Sequence, residues 1–145
     1  MIKGVFHASI TVSDIQRSIE FYRDILGLEL MFTRESSSEK LSKSLGVENA
    51  RLKIAMFKAG DDFLELIEYS NPKCDPKLLR PCDVGSMHVA FQVSDIAALE
   101  SKLEKHGYKF NAPPSFIQDG PMKGWLWAYF KDPDGAQLEL VELRQ

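Results

Sequence analysis

Cysteine is scarce in this sequence, and long apolar runs are absent. The chain contains two cysteines, Cys74 and Cys82, which form no C-x-x-C or multi-cysteine zinc pattern. This scarcity favours free thiols over a disulfide framework. No run of about eighteen apolar residues occurs, as a membrane-spanning helix would need, and no secretory signal is recognisable. We therefore expect a cytoplasmic protein without a membrane anchor.

An excess of positive charge is also lacking. The 18 basic and 21 acidic residues are mixed along the chain and leave a net charge of -3. Because no basic run is present to neutralise a series of phosphates, we expect no nucleic-acid partner. The 145 residues, 44% of them hydrophobic, are enough for one globular domain over residues 1–145.

Two pairs of segments repeat in the same order in each half of the chain. FHASITVSDIQRSIEFYRDILGLEL, which starts at Phe6, resembles MHVAFQVSDIAALESKLEKHGYKF, which starts at Met87. Further on, DDFLELIEY from Asp61 resembles GAQLELVEL from Gly135. Each half therefore reads as a strand, a helix and three strands. We predict an α+β fold of two βαβββ modules; the modules span about 1–72 and about 84–145.

Local signals within each half support this pattern. Asp14 and Asp95 are suited to cap helix N-termini, and Gly27 and Gly107 suit the helix ends. The polar segment from Glu35 to Asn49 predicts a surface excursion with one helical turn. Apolar runs predict strands at 51–58, 63–69, 125–130 and 137–143.

Two histidines and two glutamates recur at matched positions of the repeat. Strand alternation places each of them opposite the apolar side chains that we expect to meet the helix, which include Phe6 and Met87. If the modules pair about a pseudo-twofold axis, the four side chains converge. Nitrogen and oxygen donors without thiolate suit one divalent ion of zinc, nickel, cobalt, manganese or iron. The predicted metal ligands are His7, Glu65, His88 and Glu139.

A plainer interpretation is that these are ordinary strand residues. A single histidine usually has a structural role, and the four glutamates of the repeat would then be solvated. The joint repeat favours a metal site, because buried carboxylates without a partner are costly. The glutamates concerned are Glu65, Glu68, Glu139 and Glu142.

The sequence resembles the vicinal oxygen chelate superfamily over nearly its whole length. The resemblance is carried by HASITVSDIQRSIEFYRDILGLEL, LELIEY, MHVAFQVSDI and DGPMKGWLWAYFKDPDGAQLELVEL. The superfamily includes glyoxalase I, methylmalonyl-CoA epimerase, extradiol dioxygenases and fosfomycin or bleomycin resistance proteins, and the first two are most similar. The resemblance implies paired modules that form an eight-stranded, partly open barrel-like cleft. It also implies a homodimer, and it puts the four predicted ligands on the family's metal positions.

The same resemblance implies a reaction class. Glu139 would leave the metal to move a proton next to a carbonyl, with Glu65 as its counterpart on the other side, while the ion stabilises the enediolate. Thr11, Val84 and Tyr69 replace two arginines and an asparagine that contact glutathione in glyoxalase I. We therefore expect a metal-dependent lyase or isomerase that acts on a small carbonyl compound or acyl thioester other than a glutathione adduct.

Further side chains are predicted to contact the substrate. Lys123 matches a glyoxalase loop position that would bind a carboxylate or phosphate, although an exposed lysine is also the ordinary condition. Trp125 and Trp127 either line the cleft or pack in the core. The remaining candidates share a strand face with a predicted ligand. The predicted contacts are Lys123, Trp125, Phe63, Thr11 and Gln92.

Two other functions stay open at this point. An extradiol dioxygenase would need iron and an additional acid-base histidine or tyrosine near it, and the only unassigned histidine is His106 at a helix end. A non-catalytic protein that binds an antibiotic or another planar ligand would need no metal. The repeated ligand set argues against that binder, because it has no use for two inward histidines and two inward carboxylates.

Overall fold

The computed structural model describes residues 1–75 and 79–144. The chain divides into two compact units, Met1–Lys77 and Leu78–Gln145. Each unit contains one four-stranded sheet. Within the described residues, no helix is both long enough and apolar enough to cross a membrane.

The first unit has the element order βαβαββ. Its sheet has the strand order β1-β4-β3-β2, in which β1 and β4 are parallel and the other neighbours are antiparallel. A seven-residue helix, α2, occupies the polar segment for which only one turn was expected. The elements are β1 (His7–Thr11), α1 (Ile15–Glu20) with a π-helical continuation (Phe21–Ile25), β2 (Glu29–Ser37), α2 (Glu39–Leu45), β3 (Arg51–Ala59) and β4 (Asp62–Asn71).

The second unit repeats this topology in a smaller form. Its strand order is β5-β8-β7-β6, and β5 and β8 are again parallel. The predicted α+β fold of two βαβββ modules is therefore confirmed, although the end of the repeated segment that starts at Met87 forms only one isolated bridge, between Phe110 and Phe130. The elements are β5 (Val89–Val93), α3 (Ile96–Lys105), β6 (Ser115–Phe116), β7 (Leu126–Lys131) and β8 (Gln137–Glu142).

The core of each unit lies between the sheet and its long helix. Alternate residues of β4 and β8 are fully buried on the helix side. Aromatic side chains of the π-helical continuation and of β3 pack together, as Tyr22 and Phe57 show with ring centroids 6.2 Å apart. The prediction that Phe6 and Met87 join this side is wrong. They are 70% and 87% exposed, because each lies just before its strand begins.

A second glutamate on β4 and on β8 ties each sheet to the start of its helix. Glu68 Oε2 accepts a hydrogen bond from the Ile15 N–H at 2.8 Å, and Glu142 Oε2 accepts one from the Ile96 N–H at 2.9 Å. A helix N-terminus has backbone donors without intrahelical partners, so a carboxylate there is stabilising. The interpretation of these two glutamates as solvated strand residues is therefore wrong.

Glu142 is expected to make the stability of the fold sensitive to acid. The Ile96 N–H, and then the Arg144 side chain, hold the pKa of the Glu142 carboxyl below its ordinary value of 4.5. A lowered pKa stabilises the folded state above the unfolded-state pKa, and this stabilisation is lost as pH falls through the folded-state pKa. We expect Glu142→Gln to unfold several degrees lower than wild type at neutral pH.

Thermal unfolding followed by circular dichroism from neutral pH to below pH 4.5 would check this expectation. The gap between wild type and Glu142→Gln should narrow as the wild-type carboxylate becomes protonated. Glu104→Gln, an exposed change on α3, serves as the control and should follow wild type throughout. A gap that stays constant with pH would contradict the role given to the carboxylate.

Candidate metal centre

The first unit brings His7 and Glu65 together on one face of its sheet. His7 is the first residue of β1 and Glu65 lies in β4, which runs parallel beside it and pairs Ser9 with Glu65. His7 Nε2 lies 3.5 Å from Glu65 Oε2. The histidine side chain is 35% exposed and the glutamate side chain is 14% exposed. This pair, which we call half-site 1, is open to a ligand from the histidine side.

The second unit forms the matching pair, half-site 2, from His88 and Glu139. His88 directly precedes β5, and Glu139 lies in the parallel strand β8 beside Ala90. His88 Nε2 is 3.1 Å from Glu139 Oε2, with side-chain exposures of 44% and 16%. The sequence repeat is thus accompanied by a structural repeat, because in each unit a histidine Nε2 lies close to a glutamate Oε2.

The separations within the half-sites fit two ligands of one ion. Nitrogen and oxygen ligands at about 2.0–2.2 Å from an ion lie about 3 Å apart when they subtend roughly a right angle. Imidazole and carboxylate are also a common donor combination for first-row divalent metals. Each half-site contains two of the four predicted ligands, and within residues 1–75 and 79–144 no three His, Cys, Asp or Glu side chains gather to hold a metal. The four-residue set therefore stays a prediction.

Tyr129 is a neighbour of half-site 2 that the sequence interpretation missed. It lies on β7 directly across from Glu139 on β8, so that the two side chains leave the same face of the sheet. Its ring meets the His88 ring edge-on, with centroids 5.4 Å apart and an angle of 85°. Burial raises the pKa of the Tyr129 hydroxyl, and the charge of Glu139 raises it further. The phenol is therefore protonated at neutral pH.

A signal for this neighbour is present in the sequence. The β7–β8 turn is centred on Asp134, so that Tyr129 and Glu139, each five residues from it, become cross-strand partners. The same construction on the β3–β4 turn makes Met56 the partner of Glu65. The cross-strand partners of the two glutamates therefore differ: a phenol lies opposite Glu139 and a thioether lies opposite Glu65.

Two of the predicted substrate contacts lie close to half-site 1. Phe63 pairs with His7 across β1 and β4, and Thr11 is on the His7 face of β1, beside Ile67. The Phe63 ring packs against that of Phe6 at 5.3 Å, which leaves an aromatic surface beside the histidine. Both residues thus share the strand face of the candidate ligands.

The predicted contacts in the second unit are more scattered. Gln92 is exposed on β5, four residues beyond His88 on the same face. Trp125 is half-buried just before β7, and its N–H donates to the Met122 carbonyl at 3.1 Å. Lys123 lies in an exposed turn, and among the described residues no hydrogen bond or ion pair joins its side chain to half-site 2. Their roles as substrate contacts stay predictions.

Two repeated βαβββ modules, each with one His–Glu pair on its sheet, are the features by which this class of proteins is recognised. The model of the Glyoxalase/Bleomycin resistance protein/Dioxygenase superfamily matches residues 4–140. The chain belongs to this superfamily.

Relatives and solved structures agree with that assignment. The chain is 36% identical to a 2-epi-5-epi-valiolone epimerase of Actinomyces sp, over 97% of this chain and 79% of the relative. It is 31% identical to the metallothiol transferase FosB of Staphylococcus epidermidis, over 97% of this chain and 84% of the relative. The fold matches a glyoxalase family protein from Bacillus cereus with a TM-score of 0.83 at 23% identity, over 98% and 95% of the two chains. The named relatives support an enzymatic activity on a small molecule.

Proposed function

We propose that this protein is a metal-dependent isomerase or lyase that moves a proton at the carbon next to a carbonyl group. The observation that carries the proposal is the pair of half-sites, each with a histidine nitrogen and a glutamate oxygen at ligand-like separation. An epimerase among the relatives favours the isomerase side of this class. The repeated glutamates suit that chemistry, because epimerisation needs proton transfer on both faces of one carbon.

The ion would be held by the two half-sites together. His7 and His88 would supply neutral imidazole nitrogens, and Glu65 and Glu139 would supply carboxylate oxygens. A divalent ion bound there would act as a Lewis acid towards the substrate carbonyl. The half-sites combine either within one chain or between the two chains of a homodimer.

The glutamates would carry the proton. Each carboxylate is mostly buried but keeps one side towards the ligand face. One glutamate removes the proton from the carbon next to the carbonyl, and the other returns a proton from the opposite side. These two proton transfers invert the configuration at that carbon. If the same glutamate instead returns the proton to the neighbouring carbon, the result is a glyoxalase-type isomerisation.

The substrate we propose is a small hydroxylated ketone. The strand faces beside the ligands carry aromatic surface from Phe63 in one unit and from Trp127 and Tyr129 in the other. Such surfaces suit the apolar side of a ring, and the hydroxyl groups of Thr11 and Tyr129 suit hydroxylated substituents. Thr11 in place of arginine supports a substrate other than a glutathione adduct.

Proton exchange in deuterium oxide tests the proposal directly. Metal-free protein is reloaded with each candidate ion in turn and incubated with cyclic and linear hydroxyketones, and the signal of the hydrogen next to the carbonyl is followed by NMR. We expect loss of that signal, with formation of the epimer, only when an ion is present. No exchange with any ion and any ketone would exclude this function.

Tyr129 favours a second candidate function. An extradiol dioxygenase needs an acid-base residue close to its iron, and Tyr129 stands beside half-site 2. Oxygen uptake with a catechol and iron-loaded protein would separate the two candidates. Uptake of oxygen without carbonyl exchange would support the dioxygenase and contradict the isomerase.

A further inference from the structure

We propose that Lys58 binds an anionic group of the substrate, and that the substrate lies between Lys58 and half-site 1 on the rings of Phe6 and Phe63, which we call the aromatic shelf. The proposal rests on the proposed function and deepens it by naming a substrate class. The hydroxylated ketone would carry a carboxylate or phosphate group on the side remote from its carbonyl.

The first argument is a row of three side chains across the sheet of the first unit. Phe63 on β4 pairs with His7 on β1 and with Lys58 on β3. Paired residues leave the same face of a sheet, and Glu65, two residues beyond Phe63 on β4, shares that face. Because neighbouring strands are about 4.8 Å apart, the backbones of His7 and Lys58 are separated by about 10 Å. A ring with substituents at opposite ends can bridge the two side chains.

The second argument is the aromatic shelf in the middle of this row. The ring of Phe63 is half-buried, and the ring of Phe6, which is 70% exposed, packs against it with centroids 5.3 Å apart. Phe6 also meets the His7 ring edge-on, at 5.5 Å and an angle of 72°. Aromatic rings with an uncovered face suit the apolar side of a bound ring. The shelf thus adjoins a candidate metal ligand and is open to a substrate.

The third argument is that the Lys58 side chain is available. It is exposed, and among the described residues no hydrogen bond or ion pair engages it, although Glu29 lies opposite on β2. The other lysine of β3, Lys53, lies on the helix face and pairs with Glu68 at 2.9 Å. An ammonium group forms its strongest hydrogen bonds with carboxylate and phosphate oxygens. Lys58 is therefore placed to hold such a group at the far end of the shelf.

The second unit repeats the lysine without the shelf. Lys131 on β7 pairs with Gln137, which takes the place of Phe63 two residues before the glutamate. Met87 takes the place of Phe6 before the histidine. An amide and a thioether thus replace the two rings, and the row of the second unit has no aromatic surface between its histidine and its lysine. The anionic group is therefore assigned to the first unit, and Lys131 provides a matched control.

Catechols test the assignment by binding and without turnover. The two neighbouring oxygens of a catechol can chelate a metal ion, and its planar ring then carries the opposite substituent along the shelf. Cobalt(II)-loaded protein is titrated with protocatechuate, which has a carboxylate at that position, and with the neutral methylcatechol of the same pattern. Calorimetry and absorption give the affinities. We expect wild type to bind protocatechuate about tenfold more tightly, the effect of one charge-assisted hydrogen bond. Lys58→Gln should make the two affinities equal.

Matched variants show whether the preference belongs to Lys58 and the shelf. Lys131→Gln and Lys123→Gln should both keep the wild-type preference. Phe63→Leu should weaken both catechols by about 2–10-fold and leave their ratio unchanged, because it removes ring stacking and no charge. Thermal unfolding of the Lys58→Gln protein should agree with that of wild type, so that its lost preference reports on the site.

The catechol phosphonate of the same pattern distinguishes the two anions. Tighter binding of the phosphonate than of protocatechuate, lost in Lys58→Gln, would assign a phosphate-bearing substrate, and the reverse order would assign a carboxylate-bearing one. A wild type that binds the charged and neutral catechols equally, or binds none of them, would overturn the inference. Loss of the preference in Lys131→Gln or Lys123→Gln but not in Lys58→Gln would also overturn it. Absence of proton exchange in wild type would end the proposed function but would leave the affinity comparison valid.

Discussion

Replacing His88 with alanine is expected to lower the affinity for a divalent ion by about two to three orders of magnitude, and His7→Ala is expected to do the same. Zinc binding to four protein ligands is worth about 10–16 kcal/mol in small structural sites, or roughly 2.5–4 kcal/mol per ligand. Each 1.4 kcal/mol is about a factor of ten in affinity. The two losses should be similar, because His7 and His88 have equivalent places beside Glu65 and Glu139.

The third histidine provides a matched control. His106 ends α3, is exposed, and has its Nδ1 2.8 Å from the Lys102 carbonyl oxygen. Metal content by elemental analysis and affinity by calorimetric titration are measured for all three histidine variants, and His106→Ala should keep wild-type affinity. Full affinity in either His7→Ala or His88→Ala would remove that histidine from the ligand set and leave a site of lower coordination.

Mixing the two variants decides how the half-sites combine. If the site joins half-site 1 of one chain to half-site 2 of another, a mixed dimer of His7→Ala and His88→Ala contains one site with both defects and one intact site. Co-expression with two different tags should then recover metal at about half the wild-type content per chain. If the site lies within one chain, every site in the mixture carries one defect and metal content stays low.

The repeat made much of the site predictable from the sequence. His7 and His88 stand at the same place relative to an SDI motif, and Glu65 and Glu139 at the same place in an LEL motif. Because side chains alternate along a strand, these positions predict that each candidate ligand lies on the sheet face away from the helix. The contact of each histidine with its own module's glutamate then follows from the parallel pairing of the two strands.

What escaped prediction depends on strand register and on strand ends. Tyr129 is the cross-strand partner of Glu139 only because the turn between β7 and β8 is centred on Asp134, where the Asp132 carboxylate accepts hydrogen bonds from two backbone N–H groups. Phe6 and Met87 fit the apolar alternation of their segments, but both lie just outside the strands. The alternation of a strand therefore does not determine on which face of the sheet their side chains lie. The roles of Glu68 and Glu142 required knowledge of which strand faces a helix start.

Glu139→Gln and Glu65→Gln are each expected to reduce epimer formation by about 10²–10⁴-fold, the usual contribution of a general acid or base. Glutamine keeps the shape of the side chain and an oxygen that can bind metal, but it cannot accept a proton at neutral pH. At saturating metal, the loss should therefore be in kcat. Glu104→Gln, an exposed change on α3, should retain wild-type activity.

The pattern of the two losses distinguishes the two reaction types. Inversion of a carbon uses one glutamate to remove the proton and the other to return it, so either substitution should stop epimer formation. Each variant should also fail to exchange the proton of the epimer in which that proton faces the replaced glutamate. If one of the two variants, Glu65→Gln or Glu139→Gln, keeps the full rate of proton exchange, a single base serves the reaction. The protein would then be a glyoxalase-type isomerase and not an epimerase. If both keep the full rate, proton transfer belongs to a different group.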